Sequence, residues 1–156
     1  PAFEISWVDA EAACQSEGKR LCSSSEWELA CRGTTQRRFS YGSERDAARC
    51  NTPIEGSGPG QGPIPLQPIG SFPDCVSDEG VHDLNGSLSE WVSDPWDGPP
   101  PSFQPDAVID PETWRTLRGG TMWSQTFYGQ NCTSRHGHPK EGWTNNDDGF
   151  RCCRDG

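Results

Sequence analysis

The sequence predicts a single disulfide-stapled domain, with two short helices at its start and short strands among long irregular segments behind them. Three observations carry that expectation. Eight cysteines, an even number, occur in 156 residues beside one Met and seven Trp, the usage of an oxidising compartment where bridges and aromatic packing replace aliphatic bulk. Gly and Pro fill 32 positions, so much of the backbone must be held by something other than regular hydrogen-bond ladders. Two segments near the start nevertheless carry helix boundary signals at both ends. A chain of this length is enough for one core, and residues 1–156 are read as one domain.

The elements follow in order. Ser6 followed by Asp9 has the form of a capping box, Val8, Ala12 and Ala13 have helical spacing, and Gly18 supplies a stop, giving a helix from Val8 to Glu17. Ser23 and Glu26 repeat the device, with Trp27, Ala30 and Cys31 on one face and Gly33 as the end. From Arg37 to Pro73 turn formers dominate, most densely from Glu55 to Pro63, a composition typical of linkers. Cys50 and Cys75 bracket that stretch, which makes a loop fastened at its base the better reading. Asp94 to Pro111 is rich in Pro and free of cysteine, and is expected to be a flexible or partner-contacting loop. Strand candidates are Gly80 to Leu84, Glu90 to Val92, Trp114 to Arg118 and Gly149 to Cys152.

Charge and hydropathy exclude whole classes. Lys and Arg number 13 against 23 Asp and Glu, a net charge of -10, which argues against a phosphate-backbone partner and favours bound cations or basic partners. With 31% hydrophobic residues and a mean hydropathy of -0.82, no apolar run is long enough to cross a membrane. The chain opens at Pro1 without a leader and is expected to be a mature or trimmed piece of a secreted, periplasmic or cell-surface protein.

Side-chain chemistry gives few sharp signals. The one close cysteine pair, Cys152 and Cys153, is adjacent and makes poor chelate geometry for zinc. His136 and His138 beside Ser124 and Tyr128 suggest a hydrolase, but no nucleophile-elbow pattern accompanies them, so exposed loop histidines are expected. No pair among the 23 acids is marked for glycoside hydrolysis. Asn145 to Gly149 resembles a calcium loop in composition but lacks the EF-hand alternation and terminal Glu, and is read as the turn into the last strand, with Asp147 or Asp148 structurally fixed. Asn85 and Asn131 head glycosylation sequons in poor acceptor positions. Gln104-Pro105-Asp106 lacks the later Trp-Asn-Asp motif of a sugar-binding lectin.

Read in order, Gly18-Lys19-Arg20-Leu21, Glu26-Trp27-Glu28, Cys31-Arg32-Gly33, Gly70-Ser71-Phe72-Pro73, Val81-His82-Asp83-Leu84-Asn85-Gly86, Ser89-Glu90-Trp91-Val92, Leu117-Arg118-Gly119-Gly120 and Gly149-Phe150-Arg151-Cys152 resemble the formylglycine-generating enzyme (sulfatase-modifying factor) family from about Trp7 to Cys153. The resemblance implies an α+β, C-type-lectin-like fold: two flanking helices, a small twisted antiparallel sheet and long loops, with the family's usual N-terminal segment missing. Trp27, Trp91 and Phe150 should then be core. Spacing alone leaves 105 cysteine pairings open; the resemblance implies Cys14 with Cys152 and Cys31 with Cys132, leaving Cys50 with Cys75 and Cys22 with Cys153.

The resemblance also implies chemistry. The family holds copper(I) on two thiolates, soft ligands for a soft ion, at positions that fall here on Ser124 and Gly129. Neither is cysteine, so no copper is expected and the oxidase chemistry should be lost. A calcium ion is expected instead on the side chains of Asp83 and Glu90 and the main-chain oxygens of Gly86 and Leu88; a second site at Asn51 and Thr52 lacks its aspartate. Trp96, Trp114, Trp123 and Trp143 fall in or beside loops, and Trp96, Trp123, Tyr128 and Trp143 are the candidate binding residues. The expected function is a non-catalytic, calcium-stabilised interaction or structural module in a larger extracellular assembly, binding a protein or a glycan; the alternative is an enzyme of the same fold.

Overall fold

A computed structural model describes residues 1–52, 64–102, 105–121 and 130–156. Helix α1 spans Trp7–Ser16 and α2 spans Ser24–Arg32, each within a residue of its capping signals. At α1 the Ser6 hydroxyl accepts from the Asp9 amide at 3.2 Å. At α2 the box is reciprocal: Ser23 Oγ accepts from the Glu26 amide at 3.2 Å while Glu26 Oε2 accepts from the Ser23 amide at 2.8 Å, satisfying two donors the first turn leaves open. Gly33 ends α2 with φ at 60°.

The strands are β1 Arg20–Leu21, β2 Ser89–Pro95, β3 Trp114–Arg118, β4 Arg135–Pro139, β5 Asp148–Phe150 and β6 Cys152–Cys153. Strands β1 and β6 pair antiparallel, and the larger sheet has the order β4-β3-β2-β5. That sheet corrects the expectation of a purely antiparallel one: β5 runs parallel to β2, with Ser89 across from Asp148 and Trp91 across from Phe150. The candidate strand Gly149 to Cys152 is two strands, because the chain leaves β2 at Arg151 and joins β1 instead. Gly80 to Leu84 forms only an isolated bridge, Val76 to His82, since Asp83 has a left-handed backbone, φ 61°, that no strand continues through. The expected histidine loop is β4, in full antiparallel register with β3.

Two cores flank the sheet. Trp7, Ala10, Cys14, Leu21, Trp91 and Leu117 form one, with Phe150 and Trp143 packed against it; Trp27, Cys31, Leu84, Val92 and Cys132 form the other. The buried indoles keep their polar edges satisfied: Trp7 Nε1 donates to the Val92 carbonyl at 2.8 Å and Trp91 Nε1 to that of Ile5 at 3.1 Å.

Four bridges complete the domain: Cys14–Cys152, Cys22–Cys153, Cys31–Cys132 and Cys50–Cys75. Three join residues more than a hundred positions apart. In the chain-entropy picture each of those contributes roughly 4 to 5 kcal/mol. The Cys50–Cys75 bridge closes the base of the Gly/Pro loop as expected; residues 53–63 of that loop lie outside the described residues.

Candidate functional site

Strand β3 aims Arg118 at the start of α2. Its Nε donates to Ser24 Oγ at 2.7 Å and its Nη2 to Glu28 Oε2 at 2.9 Å, so this buried arginine is a strut between sheet and helix. Gly119 follows with φ at 78° and would place a Cβ 3.3 Å from the Trp27 ring, which suits a residue without one. Ser124 and Gly129, the positions expected of a copper pair, lie outside the described residues, as do Trp123 and Tyr128. Their chemistry is decided by residue type. All eight cysteines are consumed in the four bridges and no free thiol exists, so the chain has no thiolate pair with which to hold copper(I).

The expected calcium ligands lie around a different feature. Asp83, Leu88 and Glu90 line one cavity of about 140 Å³ together with Phe72, Phe150 and Arg151. Both oxygens of Glu90 are taken: Oε1 accepts from Arg151 Nη2 at 2.9 Å, and Oε2 accepts from Arg151 Nε at 3.0 Å and from Trp27 Nε1 at 2.6 Å. Asp83 Oδ2 accepts the Gly70 amide at 2.7 Å. Gly86 is pressed against Asn51, whose carbonyl oxygen would stand 2.3 Å from an added Cβ. The Arg151 guanidinium thus shares the Glu90 carboxylate with whatever else binds in this loop.

Of the aromatic residues in or beside loops, Trp96 and Trp114 are set inward. Trp96 is 7% exposed and Trp114 6%. Trp96 donates its Nε1 to the Pro99 carbonyl at 3.0 Å, and Arg135 lies over its ring at 5.4 Å. Its outer rim, with Pro99 to Pro101 and Arg135, lines a shallow groove. Trp143 is half-buried and stacks on His138 at 4.0 Å between ring centroids, its Nε1 donating to Asp148 Oδ2 at 3.0 Å.

His136 and His138 are not exposed loop residues. They stand edge to face at 5.3 Å on β4, with His138 buried. Burial pulls His136 down to about 4 and His138 to about 3, the latter helped by the neighbouring His136. Asp148 moves the other way: burial, then the charge of Asp147, pushes its carboxyl up to about 7. Asp148 is one of the two aspartates expected to be structurally fixed, and its burial comes from pairing β5 beside β2. Asn85 and Asn131 are both buried, as poor glycosylation acceptors should be.

Comparison with known proteins agrees with this architecture. The family model described as "Sulfatase-modifying factor enzyme 1-like domain" matches residues 1–156. The chain belongs to that family. Among curated relatives, the formylglycine-generating enzyme of Thermomonospora curvata is 31% identical over 82% of this chain and 46% of its own length. The inactive C-alpha-formylglycine-generating enzyme 2 of Mus musculus is 30% identical over 97% of the chain and 48% of its own. Serine/threonine-protein kinase Pkn1 of Chlamydia trachomatis is also 30% identical, over 99% of the chain and 24% of its length. The chain therefore spans a quarter to a half of these relatives. The crystal structure of CarF superposes with a TM-score of 0.71 at 20% identity, covering 97% of this chain and 66% of that one, a likeness of fold. Four disulfides point to an oxidising compartment, and no described helix is long and apolar enough to cross a membrane.

Proposed function

We propose that this sulfatase-modifying factor domain is non-catalytic: a disulfide-stapled interaction or structural module that works in an extracellular or equivalent oxidising space as part of a larger assembly. One observation supports the reading above others. Every cysteine is spent on a bridge between separate segments, and the positions where the family resemblance places copper thiolates are Ser124 and Gly129. A serine hydroxyl is a hard neutral ligand and glycine offers none, so the soft-ion chemistry has no support. That one relative is named inactive while another is named an enzyme fits a family in which the scaffold outlives the reaction. The partner is a protein, with a glycan as the alternative ligand, and the surface offered to it runs from Asp94 to Pro111 beside β4, where the proline run and Arg135 frame the rim of Trp96.

The test is direct. The chain is loaded with copper(I) and incubated with a cysteine-containing peptide under oxygen; no stoichiometric copper and no aldehyde product are expected. Uptake of one copper with turnover would overturn the reading in favour of the enzyme. Purification from its source should yield a stoichiometric complex, and an isolated monomer would count against the module.

A further inference from the structure

Glu90 has its counter-cation in the chain, Arg151; a second acidic pair does not. Asp147 and Asp148 are 8% and 1% exposed, and no described arginine or lysine acts on either of them. Adjacent carboxylates withdrawn from water without a cation are strongly unfavourable. Two further atoms make the position stranger. Asp147 Oδ1 is buried with no hydrogen-bond partner, and so is the hydroxyl of Ser89, a residue that is 0% exposed. Ser89 is neither remote nor incidental: it stands directly across from Asp148 in the parallel β2–β5 register, so both side chains rise from the same face of the sheet, and its amide donates to the Asp147 carbonyl at 2.8 Å. Buried polar groups are nearly always satisfied; Thr121 donates to the Asp147 carboxylate, yet Asp147 Oδ1 and the Ser89 hydroxyl are left without a partner.

We propose that Asp147, Asp148 and Ser89 form a site for a hard divalent cation, with calcium the best match. Carboxylate and hydroxyl oxygens are hard donors, calcium accepts an irregular set completed by water, and its two charges supply what the pair lacks. Trp143 orients Asp148 by donating to Oδ2, leaving the other oxygen for the ion. Ser89 precedes Glu90 in β2, but successive strand side chains point to opposite faces, and it is the Glu90 carboxylate that the Arg151 guanidinium holds.

The experiment uses the whole 156-residue chain, stripped with EDTA and titrated with calcium alone, then with terbium(III) read by luminescence excited through tryptophan. Calcium at a hundredfold excess over Kd should raise Tm by about 5 to 10 °C. Terbium emission should be sensitised by Trp143, whose indole lies against Asp148, and Trp143→Phe should cost most of the emission while leaving terbium bound. Asp147→Asn and Ser89→Ala should each weaken terbium binding at least about tenfold, whereas Asp83→Asn should leave it unchanged. Ser89→Ala removes a single buried atom and keeps the test independent of whether the aspartate variant folds. No calcium shift together with no terbium emission would overturn the proposal, and so would emission that survives Asp147→Asn and Ser89→Ala or disappears with Asp83→Asn.

Discussion

Gly137 on β4 lies so close to Trp96 that a Cβ built on it would stand 2.1 Å from the indole Cγ, and a Cβ built on Gly98 would stand 2.2 Å from the other end of the same ring. A side chain at either glycine would thus run into the indole, whose Nε1 is spent on Pro99. The Pro-rich loop is held to the sheet by these contacts. Gly137→Ala should force the ring outward and destabilise the chain by roughly 1 to 3 kcal/mol, as overpacking does, with a change in tryptophan emission. Urea titration followed by fluorescence reads both, and an unchanged midpoint would refute the close approach.

The bridges make a prediction about mass. Intact mass under non-reducing conditions should show no alkylatable thiol, and a reactive Cys50 or Cys75 would contradict the assignment. Replacing Cys31 and Cys132 together by Ala should cost about 4 kcal/mol, read as a lower denaturant midpoint, because that bridge closes a separation of 101 residues.

Arg151 and Glu90 form a bidentate pair reinforced by the Trp27 indole. Glu90→Gln leaves the guanidinium half-buried without its counter-charge. A fully buried pair loses roughly 3 to 5 kcal/mol when one partner is removed; partial exposure of Arg151 should bring the loss to about 2 to 3 kcal/mol. Because the arginine supplies the charge at this loop, Asp83→Asn should leave the calcium response of Tm unchanged, and a response that vanished would show an ion there.

The buried histidines set an acid limit. Their folded pKa values, about 4 for His136 and about 3 for His138, lie below the unfolded value near 6.5. The unfolded chain therefore binds more protons between those limits, and stability falls as pH drops from about 6.5 toward 4. Asp147 and Asp148, whose folded values are both raised by burial, oppose this over part of the same range. Chemical denaturation at several pH values in EDTA should show the fall, and His138→Gln should flatten it.

What the sequence made legible was whatever is encoded locally. Ser6, Ser23 and Glu26 announce both helices because a cap is a contact over three residues. Cys50 and Cys75 are legible as a pair because they bracket one loop, whereas Cys14–Cys152 and Cys31–Cys132 are long-range and their pairing followed from motif order. Strand β4 was hidden because Arg-His-Gly-His-Pro has no apolar alternation; its inward positions are filled by Gly137, which admits Trp96, and by His138, which stacks on Trp143. The parallel pairing of β5 was equally invisible, since Asp148 is polar by type and becomes interior only beside Ser89. Trp96 and Trp114 looked like loop anchors because their neighbours are turn formers, yet the rings themselves fold inward.

The bridges Cys14–Cys152 and Cys22–Cys153 fasten neighbouring residues near one end of the chain to adjacent residues near the other. Peptide continuity between Cys31 and Cys132 is thereby made redundant. A protease that cuts once within residues 76–131 leaves two fragments joined by three bonds, and one that cuts within residues 51–74 leaves them joined by four. A nicked molecule of this kind keeps its full size on a non-reducing gel and comes apart only when thiol is added, so damage to its long loops need not separate the two halves of the domain.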